Sequence, residues 1–136
     1  MEIKITLDGK KRVSAEVAGR TIVTDQAERS GGLGTMPEPF TYFLASIGQC
    51  AGAYVQGFCD SRNLSSEGIT ISQNISYDPN AEMKYKTTLD INVPADFPEK
   101  YHTALIRSAD QCAVKKIIQT GMEFETKTVV LENTHA

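Results

Sequence analysis

Three cysteines, Cys50, Cys59 and Cys112, are the side chains of this 136-residue sequence with the most distinctive chemistry. A free cysteine is usually buried and packs as a small hydrophobe, so each needs a reason to be read otherwise. Cys59 follows Cys50 by nine residues in a segment of helical period. Nine steps of about 100° turn it to the opposite side of that helix, so the two cannot pair without breaking it. Cys59 therefore reads as core. Cys50 and Cys112 each fall in the middle of one of two long predicted helices, on the face expected to meet the other helix. Facing helices bring such positions together, and a disulfide needs α-carbons within about 7 Å. The chemistry this arrangement would serve is two-step peroxide reduction. One thiolate attacks the O–O bond and becomes a sulfenic acid, and the second thiol condenses with it to a disulfide.

Attack requires a thiolate, and a nearby cation lowers a cysteine pKa. Cys50 lies too deep in its predicted helix for the amino-terminal dipole to help much, so an arginine is expected to do it. Arg20 and Arg29 are the arginines between the first strands and that helix, and Arg29 sits in a glycine-rich loop. Spacing alone leaves both open. His102 reads as exposed near the start of the second helix, and His135 lies in the tail. No CxxC occurs, and Cys50 and Cys59 face apart, so no metal site is expected. Gly31-Gly32-Leu33-Gly34 lacks the lysine and spacing of a phosphate-binding loop. Phe40, Tyr42, Phe43, Tyr54 and Phe58 recur at helical spacing, either as core or as the lining of an apolar substrate pocket.

The elements that must position these residues are legible in order. Glu2–Leu7, Arg12–Val17 and Arg20–Thr24 alternate or are β-branched, with turns at Asp8-Gly9 and Ala18-Gly19, which reads as a three-stranded meander. A long loop, Asp25–Pro39, follows, and loops of that length often carry function. Apolar residues then recur every three or four positions from Phe40 to Arg62. Thr41–Cys59 is uncharged over 19 residues, but its polar residues and glycines favour a helix buried on nearly all sides over a membrane span. Ile69–Tyr77 and Met83–Val93 read as a hairpin around Asp78-Pro79-Asn80. A second long helix is expected from Asp96 to Thr120, closing at Gly121, and Glu123–Leu131 as a final strand. The order βββ-α-ββ-α-β makes an α+β fold of antiparallel strands around two central helices, with residues 1–136 as one domain.

Composition bounds the function. Charged residues are 23% of the chain and the net charge is −3, so there is no basic excess to neutralise phosphates and nucleic-acid binding is not expected. An odd number of cysteines does not make a secreted disulfide framework. Met1–Thr6 alternates charged and apolar residues without a signal-peptide core, so a cytoplasmic location is expected, with no membrane association.

The chain resembles the OsmC/Ohr family of organic hydroperoxide reductases. The resemblance rests on the meander, the loop with Gly34-Thr35 and Pro39, then Leu44-Ala45 and Gln49-Cys50-Ala51-Gly52, and finally Asp110-Gln111-Cys112-Ala113-Val114-Lys115. The 62-residue separation of Cys50 and Cys112 is close to the family pattern. The resemblance implies an intertwined homodimer with two sites at the subunit interface, each built from Cys50 and Cys112 with an arginine (Arg29, or Arg20) and a glutamate. It also implies reduction of alkyl or fatty acid hydroperoxides without metal or flavin, and recycling by a dithiol such as a lipoyl protein. Two places depart from the family pattern: Phe40 and Thr41 stand where a glutamate follows the loop proline, and Ala113 stands where a proline follows the second cysteine. A dimeric binding protein for a small apolar ligand, or a thiol redox sensor, is the alternative to a peroxidase.

Overall fold

A computed structural model describes residues 1–132, so His135 lies outside the described residues. The meander forms as β1 (Lys4–Gly9), β2 (Arg12–Val17) and β3 (Arg20–Thr24), all antiparallel. Its register pairs Lys4 with Glu16, opposite charges across the strands, and lines up Ile5, Ala15 and Ile22. Alternation therefore gathers the apolar residues on one sheet face. That face is uncovered: Ile5, Leu7 and Ile22 are all exposed.

Helix α1 (Pro39–Ser61) begins with proline in its first turn, where the missing N–H has no intrahelical partner to lose. It buries Ile47, Ala51, Val55, Phe58 and Cys59. These positions recur at three and four residues and make a single stripe. Phe40, Phe43 and Tyr54 remain exposed, so the helix is not buried on nearly all sides in the single chain. The hairpin is β4 (Thr70–Tyr77) and β5 (Tyr85–Asn92), paired from Thr70–Asn92 to Tyr77–Tyr85.

The second long helix is broken. A 3-10 turn at Glu99–Tyr101 leads into α2 (His102–Ala109), and the chain restarts as α3 (Ala113–Thr120). Tightened turns fill the gap, with Asp110 N–H donating to the Ile106 carbonyl, Gln111 to Ser108 and Cys112 to Ala109. The core joins Ala51, Val55, Phe58 and Cys59 of α1 to Leu105 and Ala109 of α2, with Ile71 and Leu89 of the hairpin packed on it. The expected last strand is absent: residues 121–132 have no regular secondary structure, and Phe124, Val129, Val130 and Leu131 are exposed. An isolated strand leaves its backbone groups unpaired, so alternation alone does not form one.

The accessible surface is 10976 Å². A compact monomer of this mass would expose roughly 7,000 Å². The excess, on the order of 4,000 Å², coincides with the uncovered sheet face, the outer side of α1 and the carboxyl-terminal segment. Among the described residues no helix is long and apolar enough to cross a membrane.

Candidate functional site

Cys50 lies half-buried near the middle of α1. Cys112 is buried at 1% exposure and is the N-cap of α3, with an extended backbone (φ −46°, ψ 120°). It is not in mid-helix, as expected, because the helix stops at Ala109 and begins again at Ala113. That break changes the chemistry available to Cys50. The first amides of a helix have no intrahelical acceptor. Two of them, on Val114 and Ala113, lie close enough to the Cys50 sulfur to influence its ionisation.

The Val114 N–H, then the Cys112 thiol, then the Ala113 N–H hold the Cys50 thiol below its ordinary value against the opposing effect of burial. Burial pushes the Cys112 thiol up, and the neighbouring Cys50 sulfur adds to the rise. The Cys112 sulfur accepts the Lys115 N–H at 3.4 Å and lies 3.8 Å from the Ile47 carbonyl oxygen of α1. A thiol has one proton, which serves either Ile47 or Cys50 at a given moment. An ionised Cys50 is the stronger acceptor. The pair is thus asymmetric, with Cys50 disposed to ionise and Cys112 to keep its proton.

The groups that lower Cys50 within the chain are backbone amides and the Cys112 thiol. Arg29 is exposed in a 3-10 turn, Glu28–Ser30, and Arg20 is exposed at the start of β3. Cys59 is fully buried in the core, where burial and then the Asp60 charge raise its pKa. His102 is exposed and stacks on Phe97 with ring centroids 5.9 Å apart. The aromatic series does not line one pocket. Phe58 is core, Tyr42 donates to the Val23 carbonyl at 3.1 Å, and Phe40 stacks on Phe43 at the surface. A cavity of about 340 Å³ opens beside the Ile47–Cys112 contact, lined by Ile47, Tyr85, Leu89, Lys115 and Ile118 among others. Among the described residues no three histidine, cysteine or acidic side chains gather as metal ligands.

The loop carrying Arg29 is organised around Asp25, a residue not singled out in the sequence. Its carboxylate is fully buried and accepts from Gln26 N–H at 2.7 Å, Leu33 N–H at 3.2 Å, Thr35 N–H at 3.0 Å and the Thr35 hydroxyl at 2.6 Å. Hydrogen bonds from the Thr35 hydroxyl and amide, above all, hold this carboxyl well below the usual carboxylate range. Arg12 donates in turn to the Thr35 hydroxyl. Backbone closure comes from Asp25 N–H to the Pro37 carbonyl at 3.1 Å. Glu38, which precedes the loop proline, accepts the Ala27 N–H at 3.3 Å. Gly32 must be glycine, because a Cβ there would stand 2.1 Å from the Gln26 carbonyl oxygen. An aspartate opening a glycine-rich loop is a signal for such side-chain-to-backbone bonding.

Comparison with solved structures finds the same fold. A Psychrobacter arcticus protein assigned to osmotic stress and detoxification response is 19% identical, with 84% of this chain and 85% of that one covered and a TM-score of 0.65. An OsmC-like protein of Mycoplasma pneumoniae is 13% identical over 87% and 86% of the two chains, with a TM-score of 0.63. An organic hydroperoxide resistance protein OsmC of Legionella pneumophila is 16% identical over 87% and 88%, with a TM-score of 0.55. The sequence matches no curated protein. The family model for OsmC-like proteins matches residues 32–127, which include α1, the hairpin and both Cys50 and Cys112, and the chain belongs to that family.

Proposed function

We propose that the protein is a thiol peroxidase that reduces organic hydroperoxides, with Cys50 as nucleophile and Cys112 as resolving thiol. The supporting observation is the asymmetry of the pair: the Cys50 thiol is lowered beside the amino terminus of α3, while burial raises that of its neighbour Cys112. The Cys50 thiolate attacks the terminal oxygen of ROOH. The O–O bond breaks, RO⁻ leaves and takes a proton to become ROH, and Cys50 becomes a sulfenic acid. Cys112 then attacks the Cys50 sulfur, loses its proton and expels water, leaving a Cys50–Cys112 disulfide. An external dithiol, such as a lipoyl protein, restores both thiols by exchange.

Arg29 carries the cation that faces the departing alkoxide, with Arg20 as the alternative. The working unit is a homodimer. The excess surface and the uncovered apolar faces support this, since obligate interfaces are large and hydrophobic. The cavity combines Ile47, Leu89 and Ile118 with the Lys115–Asp110 ion pair, and its apolar side suits the tail of an alkyl or fatty acid hydroperoxide.

The test is to mix fully reduced protein with one equivalent of an alkyl hydroperoxide and read intact mass and linked peptides. Loss of two hydrogens with Cys50 joined to Cys112 is expected. Cys50→Ser abolishes peroxide consumption, and Cys112→Ser allows one turnover before Cys50 over-oxidises. An unchanged mass with three titratable thiols would overturn the reading and favour a binding protein whose cysteines are core.

A further inference from the structure

Gln73 breaks the pattern of its strand. On β4 it shares the half-buried face of Ile71, where alternation calls for an apolar side chain. A polar group turned inward is costly unless its hydrogen bonds are made. Both ends of this amide are bonded, and to the same turn of α1. Its Nε2 donates to the Leu44 carbonyl at 2.8 Å, and its Oε1 accepts the Gly48 N–H at 3.0 Å. Leu44 and Gly48 are the acceptor and donor of one i→i+4 rung of that helix. The side chain from β4 thus enters the rung, an arrangement that bends a helix where it occurs. A Cβ at position 48 would lie 2.5 Å from the Gln73 Oε1, so any other residue there makes the amide move out of this position.

The turn so held bears on both thiols. Ile47 lies inside the rung, and its carbonyl oxygen faces the Cys112 sulfur at 3.8 Å. Cys50 follows Gly48 by two residues and must reach the Val114 and Ala113 amides. A shift of this turn by a fraction of an ångström changes both contacts at once. We propose that Gln73 is a positioning residue, whose amide fixes the Ile47–Cys50 turn of α1 against the amino terminus of α3 so that the two sulfurs are held in register. This rests on the reading of Cys50 as a thiolate nucleophile.

The test compares full-length wild type with Gln73→Met, Gly48→Ala and the double variant Gly48→Ala/Gln73→Ala. The readout is the pH profile of Cys50 alkylation by iodoacetamide, followed by peptide mass, with a thermal melt of each protein. Methionine keeps the length of glutamine and loses its amide. Alanine at 48 expels the amide by contact. Both singles move the alkylation midpoint up and lower the rate at pH 7 by about tenfold, as loss of a charge-assisted hydrogen bond would. The double variant is no worse than either single, because both act through one contact. Alanine is also a stronger helix former than glycine, which keeps the double variant folded. Variants that melt lower but keep the wild-type profile would overturn the proposal and leave Gln73 a purely structural residue. A wild-type profile in the ordinary thiol range would overturn the thiolate reading, and this proposal with it.

Discussion

Dilution is the simplest perturbation of a chain that exposes this much of itself. The excess surface of about 4,000 Å² compares with about 800 Å² per partner in an ordinary specific interface. Two chains that cover each other to that extent have no separate folded monomer, so dissociation and unfolding are one transition. Each tenfold dilution then removes about 1.4 kcal/mol per dimer. Two chains of 136 residues unfold with an entropy of about 0.57 kcal/mol/K, at about 2.1 cal/mol/K per residue. The melting temperature should fall by about 2–3 °C per decade of dilution, or about 7 °C over a thousandfold range. Far-UV circular dichroism melts of reduced protein from 0.1 to 100 μM read this directly, and sedimentation should give twice the 14.9 kDa chain mass. A melting temperature independent of concentration, with sedimentation at the mass of one chain, would refute the reasoning.

Four further outcomes follow from the site. Ala113→Pro should fold, because N1 of a helix accepts proline and Cys112 already has the ψ of 120° that a residue before proline adopts; it removes one donor to Cys50, so the iodoacetamide alkylation profile moves up. Between the lowered Cys50 value and the ordinary 9.0, the folded state has released a proton that the unfolded state still binds. Stability of the reduced protein should therefore rise with pH across that window, and above 9.0 the raised Cys112 and Cys59 reverse the slope; Cys50→Ala should abolish the rise in urea titrations. Cys59→Ser should cost about 1–3 kcal/mol in the same titrations by burying a hydroxyl in the core, and leave peroxide consumption unchanged. Arg29→Ala should keep the Cys50 alkylation profile and lose peroxide turnover, which a peroxide-consumption assay separates.

The local elements were legible because local rules make them. β2 and β3 begin and end where alternation and turn residues place them, and α1 begins at the proline read near its first turn. The rest depended on what no single segment carries. Asp110-Gln111 holds no glycine or proline to announce the break between α2 and α3, so periodicity ran straight through it. Glu123–Leu131 has a strand's alternation and pairs with no strand among the described residues. The outer face of α1 has the apolar residues of a buried helix, and none of the described residues buries Phe40, Phe43 or Tyr54. Spacing suggested that Cys50 and Cys112 are neighbours, yet it carried nothing of the backbone amides beside Cys50, which have no sequence signature. Gln73 did leave a signal: a polar residue on the apolar face of an otherwise alternating strand.

These departures meet at one point. In a helix middle every backbone N–H is already bonded four residues back, so a second cysteine at the centre of a continuous helix could offer its partner only a thiol. Ending the helix at Ala109 and restarting it at Ala113 frees amides beside Cys50. The same break makes the Cys112 sulfur the cap of the new helix through the Lys115 N–H. The amides act without a cation, as charge-assisted bonds to a thiolate do. On the proposed mechanism they stabilise the resting thiolate from the Cys112 side. The charge that develops on the departing oxygen forms on the opposite side, along the line of attack. That is where a mobile guanidinium is useful, and Arg29 sits on a loop held in shape by Asp25 with its own side chain exposed. On the proposed mechanism, thiolate formation and leaving-group stabilisation are therefore assigned to different groups, the α3 amides and Arg29.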